Sequence, residues 1–126
     1  MTQANEPVLP IGVAILSWKA PHTIRNTLIN YQKHDFFSLF EDVVICFQEI
    51  SKEDKALAEE FGIRCTGTPQ NTGILGGFRF ACDSLDSKYV MVLGNDCLLR
   101  EDNSRAKNRL SEALMLLNQG SANLFR

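Results

Sequence analysis

The sequence predicts a parallel α/β sheet with helices on both faces, a three-layer α/β/α sandwich. Three observations carry this. Four short apolar runs (Ile11–Leu16, Val43–Phe47, Ile63–Thr66 and Tyr89–Leu93) alternate with segments of helical periodicity. The first, second and fourth are continuously apolar, as strands covered on both faces are. Polar residues follow the strands at Ser17-Trp18, Gln48-Glu49 and Asn95-Asp96, at the edge where open α/β sheets place their ligands.

Residues 1–10, with two prolines, read as a lead-in segment, and 11–126 as one domain. Ile11-Gly-Val-Ala-Ile-Leu16 is the first strand. Pro21 suits the first turn of the helix after it, in which Ile24, Leu28 and Tyr31 form one buried stripe. Three phenylalanines between Lys33 and Phe40 are expected to cover the sheet edge. The second strand, Val43-Val-Ile-Cys-Phe47, is rich in β-branched residues. Ser51 with Asp54 resembles a capping box; the helix it opens buries Leu57 and Phe61 and stops at Gly62. Ile63-Arg-Cys-Thr66 is the third strand. After Gly67 to Gly73, Leu75, Phe78, Cys82 and Leu85 mark the expected buried face of a third helix. Tyr89 to Leu93 is the fourth strand, a polar segment spans 94–104, and Ala106, Leu110, Ala113, Leu114 and Leu117 trace a last amphipathic helix. With right-handed crossovers the expected strand order is 3-2-1-4. That order opens a crevice between Ser17-Trp18 and Asn95-Asp96.

The chain has 126 residues, enough for one core, and a formal net charge of −2. The charge supplies no electrostatic reason to expect nucleic acid or an anionic membrane surface. No apolar run reaches the roughly 18 residues of a membrane span. Met1 to Pro7 lacks the basic flank and apolar core of a signal peptide. The cytoplasm is therefore the expected compartment. Cys46, Cys65, Cys82 and Cys97 form no Cys-x-x-Cys pair and are expected as free thiols. His22 and His34 have no ligand spacing with them.

The chemistry-bearing residues admit two readings each. Asn71-x-Gly73 with Gly76-Gly77 either lets backbone approach a phosphate at a helix N-terminus or is plain turn chemistry. No Gly-Lys-Ser/Thr follows, so it is not a Walker A loop. Arg79 either pairs with a phosphate or is a solvated surface arginine. Asp96 either holds a divalent cation against diphosphate oxygens or caps the next segment. Asn95 stands beside it. Trp18 either stacks on a base or lids the sheet. Gln48 and Glu49 either bond a base edge or merely end their strand.

Taken in order, Ile15-Leu-Ser-Trp18, Asn71-Thr-Gly-Ile-Leu-Gly-Gly-Phe78 and Tyr89-Val-Met-Val-Leu-Gly-Asn-Asp96 resemble the nucleotide-sugar-binding half of a GT-A glycosyltransferase of the family-2-like group. The resemblance spans roughly residues 9–103. It implies an enzyme that transfers a sugar from a nucleotide-diphosphate donor to a glycan or lipid-linked acceptor, with a place at the inner face of a membrane. Ser17 and Trp18 match positions near the nucleoside, Asn71 and Gly73 the turn near base and ribose. Gly77 lies in the same motif. Asp96 matches the last carboxylate of the family's Asp-x-Asp, which holds Mn²⁺ or Mg²⁺ against the diphosphate.

Departures are equally specific. Gly94 stands in place of the first Asp, Arg79 in place of the usual Asn, and Gln48-Glu49 where an Asp usually meets the base. The acceptor half and its general base have no counterpart, so the resemblance implies an incomplete GT-A domain of poor activity alone, its uncovered sheet edge prone to self-association. A non-catalytic nucleotide-binding or protein-interaction module of the same fold is the alternative. A receiver-like or flavodoxin-like domain is a third reading, but the acidic cluster it expects after the first strand is missing.

Overall fold

A computed structural model describes residues 8–120. It contains four parallel strands in the order β3-β2-β1-β4: β1 Leu9–Trp18, β2 Phe40–Gln48, β3 Arg64–Gly67 and β4 Tyr89–Gly94. The helices are α1 Pro21–Lys33, α2 Lys52–Glu60, α3 Gly73–Asp83 and α4 Asn103–Asn118. The order expected from the sequence holds. β1 takes in Leu9 and Pro10, the last two residues assigned to the lead-in, and residues 1–7 lie outside those described.

Strand alternation divides the core into two faces. Val13 and Ile15 of β1, with Ile45 and Phe47 of β2, turn toward Ile24, Leu28 and Tyr31 of α1, Leu57 and Ala58 of α2, and Ala106 of α4. Ala14, Val44 and Cys46 turn the other way, toward Ala81 and Leu85 at α3. Three helices therefore cover one face and α3 the other, as right-handed crossovers require when the chain reverses between β3 and β4.

Local chemistry sets the helix ends. Ser51 Oγ accepts from Asp54 N at 3.1 Å and Asp54 accepts from Ser51 N at 3.0 Å, so the capping box is complete with Asp in place of Glu. Gly62, with φ of +67°, carries the left-handed exit from α2. Asp102 caps α4 by accepting from Arg105 N at 2.9 Å. Of the phenylalanines in the 33–40 linker, Phe36 and Phe40 are buried in an edge-to-face pair with centroids 4.9 Å apart, and Tyr31 packs against Phe36 and Phe37.

The face of α3 corrects the sequence-based expectation. Leu75 and Phe78 were expected inside, yet they are 82% and 49% exposed, and Ile74 is 92% exposed. The buried stripe is Gly77 and Ala81, continued past the helix by Leu85. The cause is distance. This sheet face is built from small residues, and a Cβ on Gly77 would stand 2.5 Å from Gln48 Nε2 and 3.2 Å from Leu16 Cδ2. Only a glycine-alanine ridge lets the helix lie this close, and the larger side chains are turned outward.

Candidate functional site

The carboxyl ends of β1, β2 and β4, with the turn before α3, gather most of the residues singled out in the sequence. Register aligns them: Trp18 is opposite Gln48, and Leu16 opposite Gly94. Ser17, buried, receives a hydrogen bond of 3.1 Å from Asn95 Nδ2. That bond joins two strand ends 78 residues apart in the chain. The crevice expected between them is thus closed at its base by a polar contact, with Asp96 beyond it.

Gln48 is 5% exposed. Its Oε1 accepts from Thr72 N at 2.5 Å and from Thr72 Oγ1 at 2.7 Å, and its Nε2 donates to Gly73 O at 3.0 Å. Both ends of the amide are used inside the fold. Gln48 is therefore a brace that holds the turn before α3. Asn71 Oδ1 accepts from Gly73 N at 2.8 Å, an Asx turn, and Gly73 has φ of +81°. Together these bonds fix the entry to α3, an eleven-residue helix whose N-cap Thr72 makes no side-chain cap bond. Asn71 takes the Gly73 N–H, and the N–H groups after it in the first turn lie at the positive end of the helix dipole without helical acceptors.

Beyond the strand ends, Lys19 and Glu49 both take left-handed backbone, with φ of +46° and +50°. Such conformations in non-glycine residues concentrate at functional sites. Trp18 Nε1 donates to Glu49 Oε1 at 3.0 Å, and Lys19 Nζ lies 3.0 Å from Glu49 Oε2. The indole hydrogen bond first, and the lysine second, hold the Glu49 carboxyl below its ordinary range. Trp18 keeps 48% of its surface in solvent, so the indole is presented at the rim.

Asp96 sits in a turn closed by Cys97 N donating to Gly94 O at 3.5 Å, and is exposed. Among the described residues no group of three or more His, Cys, Asp or Glu converges as a metal site. One carboxylate does suit Mg²⁺ or Mn²⁺ bound together with a diphosphate, since such ions keep several waters and take one or two carboxylates plus substrate phosphates. It does not suit a cation held by protein alone. Arg79 is exposed on the second turn of α3.

The residues that sequence reasoning missed are on α1. Thr27 Oγ1 donates to Asn95 O at 2.6 Å, Asn30 Nδ2 donates to Leu99 O at 3.2 Å, and Asn30 Oδ1 accepts from Leu99 N at 2.7 Å. The Tyr31 hydroxyl donates to Cys97 O. Burial, then the neighbouring Cys97 and Asp96, push the Tyr31 phenol well above its usual range. Their one sequence signal is polarity at positions 27 and 30 beside an otherwise apolar helix stripe.

Among the described residues no helix is long and apolar enough to cross a membrane. No protein-family model matches the chain, and no curated protein matches it in sequence. Solved structures do. The mannosyltransferase PcManGT from Pyrobaculum calidifontis, in complex with GDP-Man and Mn²⁺, superposes with a TM-score of 0.66 at 13% identity, over 86% of this chain and 32% of that one. TarS from S. aureus, residues 1–349, superposes with a TM-score of 0.61 at 17% identity, over 86% of this chain and 32% of that one. The chain thus spans about a third of the length of these structures and shares their fold in that part.

Proposed function

We propose that this chain is the donor-binding part of a glycosyltransferase of the GT-A, family-2-like kind, which holds a nucleotide-diphosphate sugar at the carboxyl edge of its sheet. The observation that carries the reading is the Ser17–Asn95 hydrogen bond, which brings the ends of β1 and β4 together beside the braced turn of α3. The shared fold supports it, and so does the donor and metal in the PcManGT complex.

In this reading the Trp18 indole and the Asn71–Gly73 turn lie against base and ribose. Glu49, with both oxygens already engaged by Trp18 and Lys19, orients that wall. The uncapped first turn of α3 and Arg79 offer N–H groups and a guanidinium to phosphate oxygens. Asp96, with the Asn95 amide oxygen and water, would hold Mn²⁺ or Mg²⁺ on the diphosphate. The ion, when bound, neutralises charge that grows on the departing diphosphate. Transfer further requires a base that deprotonates the acceptor hydroxyl, and none of the residues at this edge is assigned that role. The glycan or lipid-linked acceptor would be met by elements beyond these four strands.

A specific observation favours a second reading. Gly94 leaves one carboxylate where two are usual in the family the sequence resembles. A non-catalytic nucleotide-binding module of the same fold is consistent with that loss. Chemical-shift mapping of the ¹⁵N-labelled chain with UDP, GDP and dTDP tests the proposal. It expects shifts at Trp18, Asn71 to Gly77 and Asn95 to Asp96 with one nucleotide. Shifts scattered over other faces, or none, would refute both readings. Donor hydrolysis or transfer by a longer form of the protein would refute the second alone.

A further inference from the structure

After β4 the chain runs from Asn95 to Asp102 without ladder partners, so its backbone polar groups must be satisfied from outside. Three residues of α1 do this. Positions 27, 30 and 31 share one helix face, since residues three and four apart are neighbours. They grip Asn95, Cys97 and Leu99, each second residue of the segment, through the bonds given above. Asp96 lies between two gripped carbonyls, and Asp96 itself is free in solvent. Thr27 and Tyr31 are each 1% exposed and Asn30 is half-buried, while the carboxylate they flank is exposed.

We propose that Thr27, Asn30 and Tyr31 are positioning residues that fix the direction of the Asp96 carboxylate toward a metal–diphosphate, a role that rests on the donor-site reading above. A single carboxylate makes the role necessary. Where two acidic ligands converge, one can compensate for drift of the other; here no second carboxylate anchors the cation to protein. The clamp replaces the missing second ligand with rigidity of the first. It acts through the backbone of residues 95, 97 and 99 and touches neither nucleotide nor cation.

A merely structural role and a positioning role differ in what they move. The test uses the full chain and the variants Thr27→Val, Asn30→Ala and Tyr31→Phe, with Thr27→Ser as the conservative control that keeps the hydroxyl. Tyr31→Phe retains the ring that packs on Phe36 and Phe37, which keeps the fold. Two quantities are measured: affinity for GDP and UDP in Mn²⁺ against affinity in EDTA, and hydrogen exchange at the Cys97 and Leu99 amides against that of the β1 amides.

The expected result is that the Mn²⁺-dependent gain falls about tenfold in the three disrupting variants, in line with the effect of residues that orient metal ligands. Affinity in EDTA stays the same, exchange rises at Cys97 and Leu99 but not in β1, and Thr27→Ser behaves as the parent. Equal loss in Mn²⁺ and EDTA, or no loss in either, would overturn the proposal. Should the parent show no Mn²⁺ gain, the metal role of Asp96 fails separately. The clamp is then decided by exchange alone: faster exchange confined to Cys97 and Leu99 sustains it as the anchor of this segment, and unchanged exchange overturns it.

Discussion

Replacing Gly77 by alanine tests how α3 is seated. The new Cβ would stand 2.5 Å from Gln48 Nε2, well inside contact distance, 3.2 Å from Leu16 Cδ2, which is tight, and 3.4 Å from Gln48 Cδ, an ordinary contact. The amide must retreat, and with it go three hydrogen bonds to Thr72 and Gly73. At about 0.5–1.5 kcal/mol net for each bond, the loss is about 1.5–4.5 kcal/mol. Alanine returns about 1 kcal/mol of helix propensity over glycine. The net destabilisation expected is about 0.5–3.5 kcal/mol, or a fall in Tm of about 2–14 °C for a domain of this size. Urea denaturation of a double-mutant cycle with Gln48→Ala isolates the cause. With Gln48 shortened, the alanine fits and Gly77→Ala becomes neutral or mildly stabilising. A cost that is the same in both backgrounds would refute the argument, as would a Gly77→Ala chain of parental stability.

Other predictions follow from the same geometry. Gly94→Asp restores the second carboxylate at a position where a Cβ meets Asp96 Oδ1 at 3.4 Å, an ordinary contact, and φ is not left-handed. Titration should show the Mn²⁺-dependent part of nucleotide affinity rise about tenfold, and an unchanged affinity would contradict the placement of Asp96 at the cation. Burial raises the Tyr31 phenol above its unfolded value, so the stability it contributes is complete below about pH 10 and is lost as pH climbs toward the folded value. Urea midpoints between pH 8 and 11 should fall more steeply for the parent than for Tyr31→Phe; parallel curves would contradict this. Burial also raises the Cys46, Cys65 and Cys82 thiols, whereas Cys97 is exposed. A thiol-exchange reagent at pH 8 should therefore modify one cysteine quickly, and Cys97→Ser should remove that fast phase.

The fold was legible because periodicity suffices for buried strands and one-sided helices. Continuous apolar runs at 11–16 and 43–47 marked the centre of the sheet, and alternation with helices fixed the order β3-β2-β1-β4. What periodicity misread was α3. It assigns the largest apolar residues inward, whereas Gly77 and Ala81 form the seat and Ile74, Leu75 and Phe78 face out. A small-residue ridge carries no hydrophobic signal, since its contribution lies in how closely the backbone approaches. Gln48 was visible as a polar strand end, but its use as a brace depends on where Thr72 arrives, 24 positions later in the chain. The α1 clamp was hidden for the same reason: its partners are backbone atoms 66 to 69 residues away, and backbone acceptors leave no trace in sequence.

Calorimetric titration of UDP, GDP and dTDP into the purified chain, first with Mn²⁺ and then with EDTA, tests the central claim most directly. One of the three should bind, Mn²⁺ should tighten it, and Asp96→Ala should remove the Mn²⁺ increment while leaving the EDTA affinity in place. Absence of binding by all three nucleotides, or an Mn²⁺ increment that survives Asp96→Ala, would contradict that claim.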